Sequence, residues 1–389
     1  MAFNSRNRIY GGKTINLVLS GGGVKGIAYA GVFETGEELG YNWGNIAGVS
    51  AGALAGSFAG AGYSAIEIRR VLDEFDFEKI KNDEVTSKVP AVNDFIAYQT
   101  RLENYENLSA LEAFLNKKLP EELEPEIFQQ GYAAGRDLYR ANMRNILRNI
   151  VIYSREKSMF NGDYLEEWVS KVLKAKGVRT FGDLRGGIAD KANPRGYKVR
   201  MTAVDAGRVR IIVLPDDIAY YGIDPDEFEV AKAVRMSTAV PFAFKPVELK
   251  KLEGNSYKTH YIVDGGVLDN FPFWLIGRSS PIPTVGFKLD GGESPKLLSM
   301  DTPLNILKAL ISIVHDIGKP KGTVKLPYTA AIDTSKISFL DFGLDKEEKE
   351  YLINAGKESA LILFNNFSRS RRFGLLNIFW LIRRVFGWD

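Results

Sequence analysis

Short apolar stretches alternate with segments of helical periodicity along much of the chain, which is the pattern of an α/β protein. The apolar run at residues 14–20 predicts a buried strand, and a glycine-rich turn and a helix to about Leu39 follow it. A second strand is predicted at 43–49, and Ser50 and another helix come directly after it. This order of elements indicates a parallel sheet with helices packed against it.

The pattern changes in the middle of the chain and then returns to strands. Residues 64–176 are rich in Glu, Lys, Arg, Asn and Leu at helical spacing, which predicts a helical insertion or cap. Further strands are predicted at 198–205, 208–214, 260–263, 283–289 and 336–342, with a helix at 229–238 and a last helix from Asp345, as its N-cap, to about Phe367. We therefore expect one large domain over residues 1–342 and a C-terminal helical segment over 343–389.

Composition removes several classes of function. The 51 basic and 48 acidic residues are interleaved and leave a net charge of +3, which argues against a nucleic-acid polymer as partner. Because the chain has no cysteine, disulfides, thiolate metal sites and cysteine nucleophiles are excluded. No cluster of His, Asp and Glu has the spacing of metal ligands, so we expect neither a metal nor another cofactor.

Residues 45–60 form an uncharged stretch with glycine at positions 48, 52, 56 and 60. A membrane helix is disfavoured, because the stretch begins as a strand and lacks the large apolar side chains that favour insertion. Gly48-Val-Ser-Ala-Gly52 instead fits the G-x-S-x-G pattern of a nucleophile elbow, in which a serine occupies a strained turn between a strand and a helix. A chance match in a Gly/Ala-rich segment is the alternative.

The glycine loop Gly21-Gly-Gly-Val-Lys-Gly26 follows the first strand and matches G-x-G-x-x-G. Dinucleotide-binding folds use this pattern as well, but they place an acidic residue at the end of the second strand, where this chain has Gly48-Val-Ser50. Phosphate binding stays open as a weaker interpretation. The favoured one is an oxyanion hole, because successive glycines let backbone N–H groups converge on one point. Lys25 is either a charge suited to an anionic head group or an ordinary surface lysine.

A serine nucleophile needs a base, and the chain has only two histidines, His260 and His315. His260 lies four residues before Asp264 in a predicted strand, about 13 Å away, so the two side chains cannot pair. His315 lies in an amphipathic helical stretch and is interpreted as structural. The remaining candidate is Asp264, at the end of an apolar strand and followed by two glycines, although a turn-capping aspartate would fit the same pattern.

The three motifs in this order, Gly21–Gly26, Gly48–Gly52 and Asp264-Gly-Gly266, resemble the patatin-like phospholipases, and Met236–Pro246 is similar to the family's segment before the aspartate strand. The resemblance covers about residues 14–290 and, weakly, 339–364. It implies a three-layer α/β/α sandwich of the FabD/lysophospholipase-like class, with a mostly parallel sheet, and makes residues 1–342 the catalytic domain. It implies a Ser50–Asp264 dyad without histidine. The other implied site residues are the oxyanion-hole positions Gly21, Gly22, Gly23, Lys25, Gly26 and Ala51, and the motif glycines Gly48, Gly52, Gly265 and Gly266.

The resemblance further implies a serine esterase of the phospholipase A type, which cleaves fatty-acyl esters of phospholipids or other lipids through an acyl-enzyme. Three rival functions stay open. One is an effector that is active only after it binds a regulatory ligand or partner, and another is a catalytically silent lipid-binding scaffold. A third, a related acyltransferase, is disfavoured because those enzymes pair serine with histidine.

The C-terminal tail suggests how such an enzyme would meet its substrate. Its apolar block is too short to span a bilayer, and arginines flank it on both sides. A helix lying in an anionic membrane surface fits this pattern as well as a docked terminal helix or a dimer contact does. The apolar residues are Leu375, Leu376, Ile378, Phe379, Trp380, Leu381 and Ile382, and the arginines are Arg369, Arg371, Arg372, Arg383 and Arg384.

The first ten residues are polar and lack the apolar run of a signal peptide. We therefore expect a cytoplasmic protein with peripheral membrane association, and leave open secretion by a route that needs no signal peptide. A second basic segment, residues 136–148, is interpreted as a solvated surface, with a phospholipid-facing or regulatory role as the alternative.

Overall fold

A computed structural model describes residues 13–75, 79, 158, 160–241, 243–276, 280–290, 326, 328–337 and 343–386, with side chains in the last range described to Ser368. Only the ends of the predicted helical insertion fall in these ranges. The basic segment 136–148 and His315 lie outside them.

The described residues form an α/β fold around one mixed sheet. Its pairing order is β5-β6-β3-β2-β1-β7-β8, with β4 on the free side of β3. The strands are β1 Lys13–Leu19, β2 Tyr41–Val49, β3 Val199–Asp205, β4 Arg210–Leu214, β5 Val247–Glu253, β6 Ser256–Asp264, β7 Thr284–Asp290 and β8 Thr329–Asp333. The helices are α1 Ala28–Glu38, α2 Ala51–Gly60, α3 Ala65–Asp73, α4 Asp163–Ala175, α5 Val230–Ser237 and α6 Lys346–Phe386.

The central strands β3, β2, β1, β7 and β8 are parallel, whereas β4, β5 and β6 pair antiparallel. The predicted α/β class with a mostly parallel sheet is confirmed. Because parallel strands are covered on both faces, successive residues in their central parts are apolar, as at residues 17–19 of β1. Leu17 and Leu19 of β1 pack in the large core under the helices, and Val18 points to the opposite face, against Leu275 and Ile276.

Strand β3 carries the arrangement that positions the site. Val49 of β2 pairs with Thr202, and Asp264 of β6 pairs with the next residue, Ala203. Strand β4 pairs with residues 201–205 of β3, a range that includes residues paired with β2 and residues paired with β6. One edge of β3 therefore carries β4, and the opposite edge carries β2 and then β6. Strand β6 therefore lies end to end with β2, and Asp264 lies directly ahead of the point where β2 stops.

Two strands are absent from the sequence prediction, and the first two residues of one predicted strand are not part of a strand. Strand β5 has an exposed, charged face as an edge strand, and the five-residue β8 reads Thr-Ala-Ala-Ile-Asp, so neither gives an apolar run. The last strand was expected at 336–342, but the chain turns after Asp333, where Ile337 donates its N–H to the Thr334 carbonyl at 3.2 Å. The described part of that segment, residues 336–337, is a turn and bend.

The final helix begins as predicted and runs further. Asp345 accepts a hydrogen bond from the Glu348 N–H at 2.8 Å and donates its own N–H to the Glu348 carboxylate at 2.9 Å, which confirms it as the N-cap. The helix continues to Phe386 rather than stopping near Phe367. Its first half packs closely on α1, with Ile353 and Phe364 buried. The division of the chain into a domain over residues 1–342 and a helical segment over 343–389 stays a prediction.

The uncharged stretch 45–60 is the end of a strand followed by a ten-residue helix, so it is not a membrane helix. In the ranges that the structure describes, no helix combines the length and the apolar character needed to cross a bilayer.

Candidate active site

Ser50 forms the sharp turn between β2 and α2. Its backbone has φ 52° and ψ −121°, a region that residues other than glycine rarely adopt. Although Ser50 holds the N-cap position of α2, its side chain makes no capping hydrogen bond. The hydroxyl is therefore available for contacts above the sheet edge, and the predicted elbow geometry is present.

The two glycines of the elbow are required by close packing. A Cβ at Gly48 would lie 2.5 Å from the backbone carbonyl carbon of Gly52, and a Cβ at Gly52 would lie 2.4 Å from the carbonyl oxygen of Leu19. Real Cβ atoms do not approach other atoms so closely. The G-x-S-x-G spacing thus follows from the contact of α2 with the ends of β1 and β2.

The Asp264 side chain lies next to Ser50, as the end-to-end arrangement of β2 and β6 requires. The Ser50 side chain is among the groups that lower the pKa of the Asp264 carboxyl group, so the two side chains are neighbours, and the Gly266 N–H donates a hydrogen bond to this carboxylate at 2.6 Å. Asp264 is 3% exposed and Ser50 is 5% exposed. The structure therefore brings together two side chains that are 214 positions apart in the sequence.

Burial raises the pKa of Asp264 from 3.8 to about 7, and the Ser50 side chain and the Gly266 N–H offset this rise only in part. Desolvation disfavours the charged form of a carboxyl group, and no cation is among the causes that offset it here. A carboxylate with a pKa near neutrality is suited to accept a proton from a hydroxyl group.

The glycine loop lies against the same two elements. A Cβ at Gly21 would lie 3.1 Å from the Ser50 Cβ, and one at Gly26 would lie 2.7 Å from the Ala51 Cβ. Gly22 and Gly23 are partly exposed, and a short 3-10 helix begins at Gly23. The loop thus borders Ser50 and leads into a helical turn whose first N–H groups have no partner within the turn.

Gly21 and Lys25 of the glycine loop each interact with residues outside the loop. The Gly21 N–H donates to the Asn270 carbonyl at 3.3 Å, so this N–H serves to hold the loop. Lys25 is partly exposed, and its charge acts on Asp333 at the end of β8, whose pKa is lowered mainly by Ser335 and in small part by Lys25. Gly265, the first residue after Asp264, packs against Thr202.

Two residues that support the site were not singled out from the sequence. Ser237 accepts a hydrogen bond from the Ser50 N–H at 2.9 Å and donates its own to the Thr202 carbonyl at 2.7 Å. The Asn270 side chain donates to the Gly21 carbonyl at 3.3 Å, which ties the glycine loop to the segment after Asp264. The only sequence signal was that Ser237 falls within the motif-like segment 236–246.

His260 is not part of this site. Its Nδ1 lies 2.8 Å from the Asp205 carboxylate, which also accepts a hydrogen bond from the Tyr221 hydroxyl at 2.6 Å. The expectation that His260 and Asp264 do not pair agrees with this geometry. Among the described residues, no three His, Asp or Glu side chains are grouped so that they could hold a metal ion.

Comparison with known proteins shows the family of the chain. The family model described as "Patatin-like phospholipase" matches residues 17–275, a range that includes Ser50 and Asp264. The protein YqhO of Bacillus subtilis (strain 168), described as uncharacterized, is 33% identical over 353 residues, covering 88% of this chain and 95% of YqhO. The chain belongs to the patatin-like phospholipase family.

Two solved structures are also similar. VipD from Legionella pneumophila has 18% identity and a TM-score of 0.47, with 91% of this chain and 67% of VipD covered. A chain of the heterodimeric ExoU–SpcU complex from the type III secretion system of Pseudomonas aeruginosa has 19% identity and a TM-score of 0.36. That match covers 91% of this chain and 52% of the other, so this chain spans about half of its length.

Proposed function

We propose that the protein is a lipid acyl hydrolase in which Ser50 is the nucleophile and Asp264 is the only general base. The observation that carries this proposal is the placement of the Asp264 carboxyl group beside Ser50 at a strained elbow, with the carboxyl pKa raised to about 7 by burial. Membership of the patatin-like phospholipase family supports an acyl ester of a phospholipid or another lipid as the substrate.

In the proposed reaction, the ionised Asp264 accepts the Ser50 proton while the Ser50 oxygen attacks the ester carbonyl. The C–O bond to the alcohol breaks, and the protonated Asp264 returns its proton to the leaving alcohol, which leaves the acyl group esterified to Ser50. Asp264 next accepts a proton from the water that attacks the acyl-enzyme carbonyl. The bond between the acyl carbon and the Ser50 oxygen then breaks, Asp264 returns the proton to that oxygen, and the fatty acid leaves.

The oxyanion is proposed to be held by the N–H groups of Gly22 and Gly23 in the glycine loop and by the Ala51 N–H. The Gly26 N–H is left out, because Gly26 lies within the 3-10 helix Gly23–Ile27, whose own hydrogen bonds use it. Backbone donors fixed in a buried site stabilise the negative charge that develops during the attack. The start of α2 adds the positive end of a helix next to Ser50. Because the Gly21 N–H is already paired, it is left out of the donor set.

A fluorophosphonate probe tests the nucleophile directly. We expect the purified chain to be labelled at Ser50 and the Ser50→Ala variant to stay unlabelled. Ser57→Ala is the matched control, because Ser57 is also buried in α2 but donates to the Ala53 carbonyl at 2.7 Å. Product analysis with phospholipid vesicles then reports which acyl ester the chain cleaves.

The rival functions give different results in the same assays. A silent scaffold binds lipid equally well with and without Ser50→Ala and is never labelled. An effector that needs a ligand or partner is labelled or active only after a cell extract is added. Labelling at Ser57 or at another serine, with Ser50→Ala unaffected, would refute the proposed dyad.

A further inference from the structure

The β5–β6 hairpin projects from the sheet edge at which Ser50 lies. Strand β6 pairs with β3 through Asp264, Val263 and Ile262, and its earlier residues continue beyond the end of β3. Leu252 and Tyr257, a cross-strand pair next to the turn, therefore lie about 23 Å beyond Asp264 along the strand. The hairpin therefore extends beyond the same edge of the sheet at which β1 and β2 end and Ser50 lies.

The base of the hairpin is fixed. His260 bonds Asp205 at 2.8 Å, and Leu249, its cross-strand partner, is buried. Further out, the Lys251 ammonium lies 3.4 Å and the Arg208 guanidinium 3.7 Å from the centre of the Tyr220 ring. Because it contacts Lys251 of β5 and Arg208 of the β3–β4 turn, the Tyr220 ring joins the hairpin to that turn.

The tip differs from the base in both exposure and charge. Leu252 is 56% exposed and Tyr257 is 70% exposed. The next pairs towards the base are Lys251 with Lys258 on one face and Lys250 with Thr259 on the other. Residues 206–210 and 247–259 together hold five basic and two acidic side chains. One of the two, Glu253, bonds Lys258 at 2.6 Å.

We propose that this hairpin tip is the surface by which the protein docks on an anionic lipid bilayer, with Leu252 and Tyr257 entering the interface and the lysines contacting lipid phosphates. The inference rests on the proposed lipid hydrolysis, because it places Ser50 on the membrane side. An aliphatic side chain and a tyrosine ringed by lysines suit the boundary between head groups and acyl chains. Strand pairing with a second copy along β5 is disfavoured, because Glu248, Lys250 and Lys251 place charges on that edge.

Docking is tested by cosedimentation with vesicles of phosphatidylcholine and phosphatidylglycerol. The chain carries Ser50→Ala, so that the lipid is not consumed. We expect Leu252→Ser with Tyr257→Ser to lower vesicle binding about tenfold or more, since exchanging one such side chain between water and an apolar phase changes an equilibrium by about that factor. Lys250→Glu should lower it severalfold, and pure phosphatidylcholine should bind the unaltered tip weakly.

Ile66→Ser is the control, because Ile66 is 68% exposed on α3 and lies outside the hairpin. In the chain with Ser50 intact, the hairpin variants should hydrolyse a monomeric water-soluble ester at the unaltered rate and lose turnover on vesicles. Equal vesicle binding by the hairpin and control variants would overturn the proposal. Sedimentation equilibrium that shows a dimer held together through the hairpin tip would also overturn the proposal. If no ester is cleaved but the tip still governs binding, docking stands and the proposed hydrolase fails.

Discussion

Two buried carboxylates on neighbouring strands of this sheet have opposite surroundings. Asp264 on β6 lies beside the Ser50 side chain and accepts a hydrogen bond from one backbone N–H, that of Gly266, and burial raises its pKa to about 7. Asp205 on β3 is fully buried but accepts hydrogen bonds from Tyr221, His260 and the Arg208 N–H. A buried carboxylate with few hydrogen bonds is suited to accept a proton. A buried carboxylate that accepts several hydrogen bonds instead connects the elements that carry the donors.

The largest expected effect is the loss of the proposed hydrolysis when either member of the proposed Ser50–Asp264 dyad is changed. Ser50→Ala and Asp264→Asn should each lower kcat/KM by about 1,000-fold or more, because the nucleophile and its base act as one unit. The double variant should be no worse than either single one. Rates are measured with a neutral monomeric ester, and Asp205→Asn is the matched carboxylate control. Additive losses in the double variant would contradict a two-residue unit.

Hydrolysis should depend on pH through Asp264. The carboxyl group must be ionised to accept the Ser50 proton, so kcat/KM should rise about tenfold per pH unit below 7 and level off above it. A neutral ester keeps the substrate from titrating in this range. A profile that is flat down to pH 5 would show that Asp264 is not the base.

The two aspartates should affect stability in opposite directions. The folded pKa of Asp264 lies above its unfolded value, so the folded state loses stability as pH rises from about 4 to about 7. At pH 8, Asp264→Asn should therefore raise the free energy of unfolding by about 1–3 kcal/mol, and the gain should vanish near pH 4. Asp205→Asn should lower it by about 1–3 kcal/mol at pH 8, because hydrogen-bond donors lose their acceptor.

Urea unfolding at the two pH values measures both aspartate effects in one series. The contrast between the sites fails if Asp264→Asn destabilises the protein at pH 8 as much as Asp205→Asn does.

A smaller loss is expected at Ser237, which hydrogen-bonds the backbone of the elbow at Ser50. Ser237→Ala leaves the Ser50 N–H and the Thr202 carbonyl without this partner, so kcat/KM should fall about tenfold and stability by about 1 kcal/mol. Thr238→Ala is the control, because its hydroxyl donates only to carbonyls of α5. Equal effects at the two positions would mean that Ser237 acts only through general packing.

The smallest effect on activity is expected at His260. His260→Gln removes the only histidine among the described residues, yet hydrolysis of the monomeric ester should change by less than about threefold, because Asp264 needs no imidazole. Stability should fall, because Asp205 loses one of its partners. A large loss of turnover with an unchanged fold would place the histidine in the mechanism.

The sequence by itself determined the local elements around the site. Apolar runs marked β1, β2 and β3, because strands covered on both faces need apolar residues on both faces. The spacing Gly48–Ser50–Gly52 marked the elbow, because the close packing there admits only glycine. Because histidine is scarce, Asp264 was the remaining candidate for the base. Strands β5 and β8 left no such mark, since an edge strand with an exposed, charged face and a short strand without bulky apolar residues give no long apolar run.

Only the tertiary structure decided how distant residues meet. Strand β6 is antiparallel to β3 and continues the line of β2, so Asp264 faces Ser50 while His260 falls beside Asp205. No local pattern encodes this register, because strand pairing depends on contacts far apart in the chain. The pKa of Asp264 likewise follows from its burial by several elements together. The residue types were visible in the sequence, and their partners and electrostatic surroundings were properties of the packed sheet.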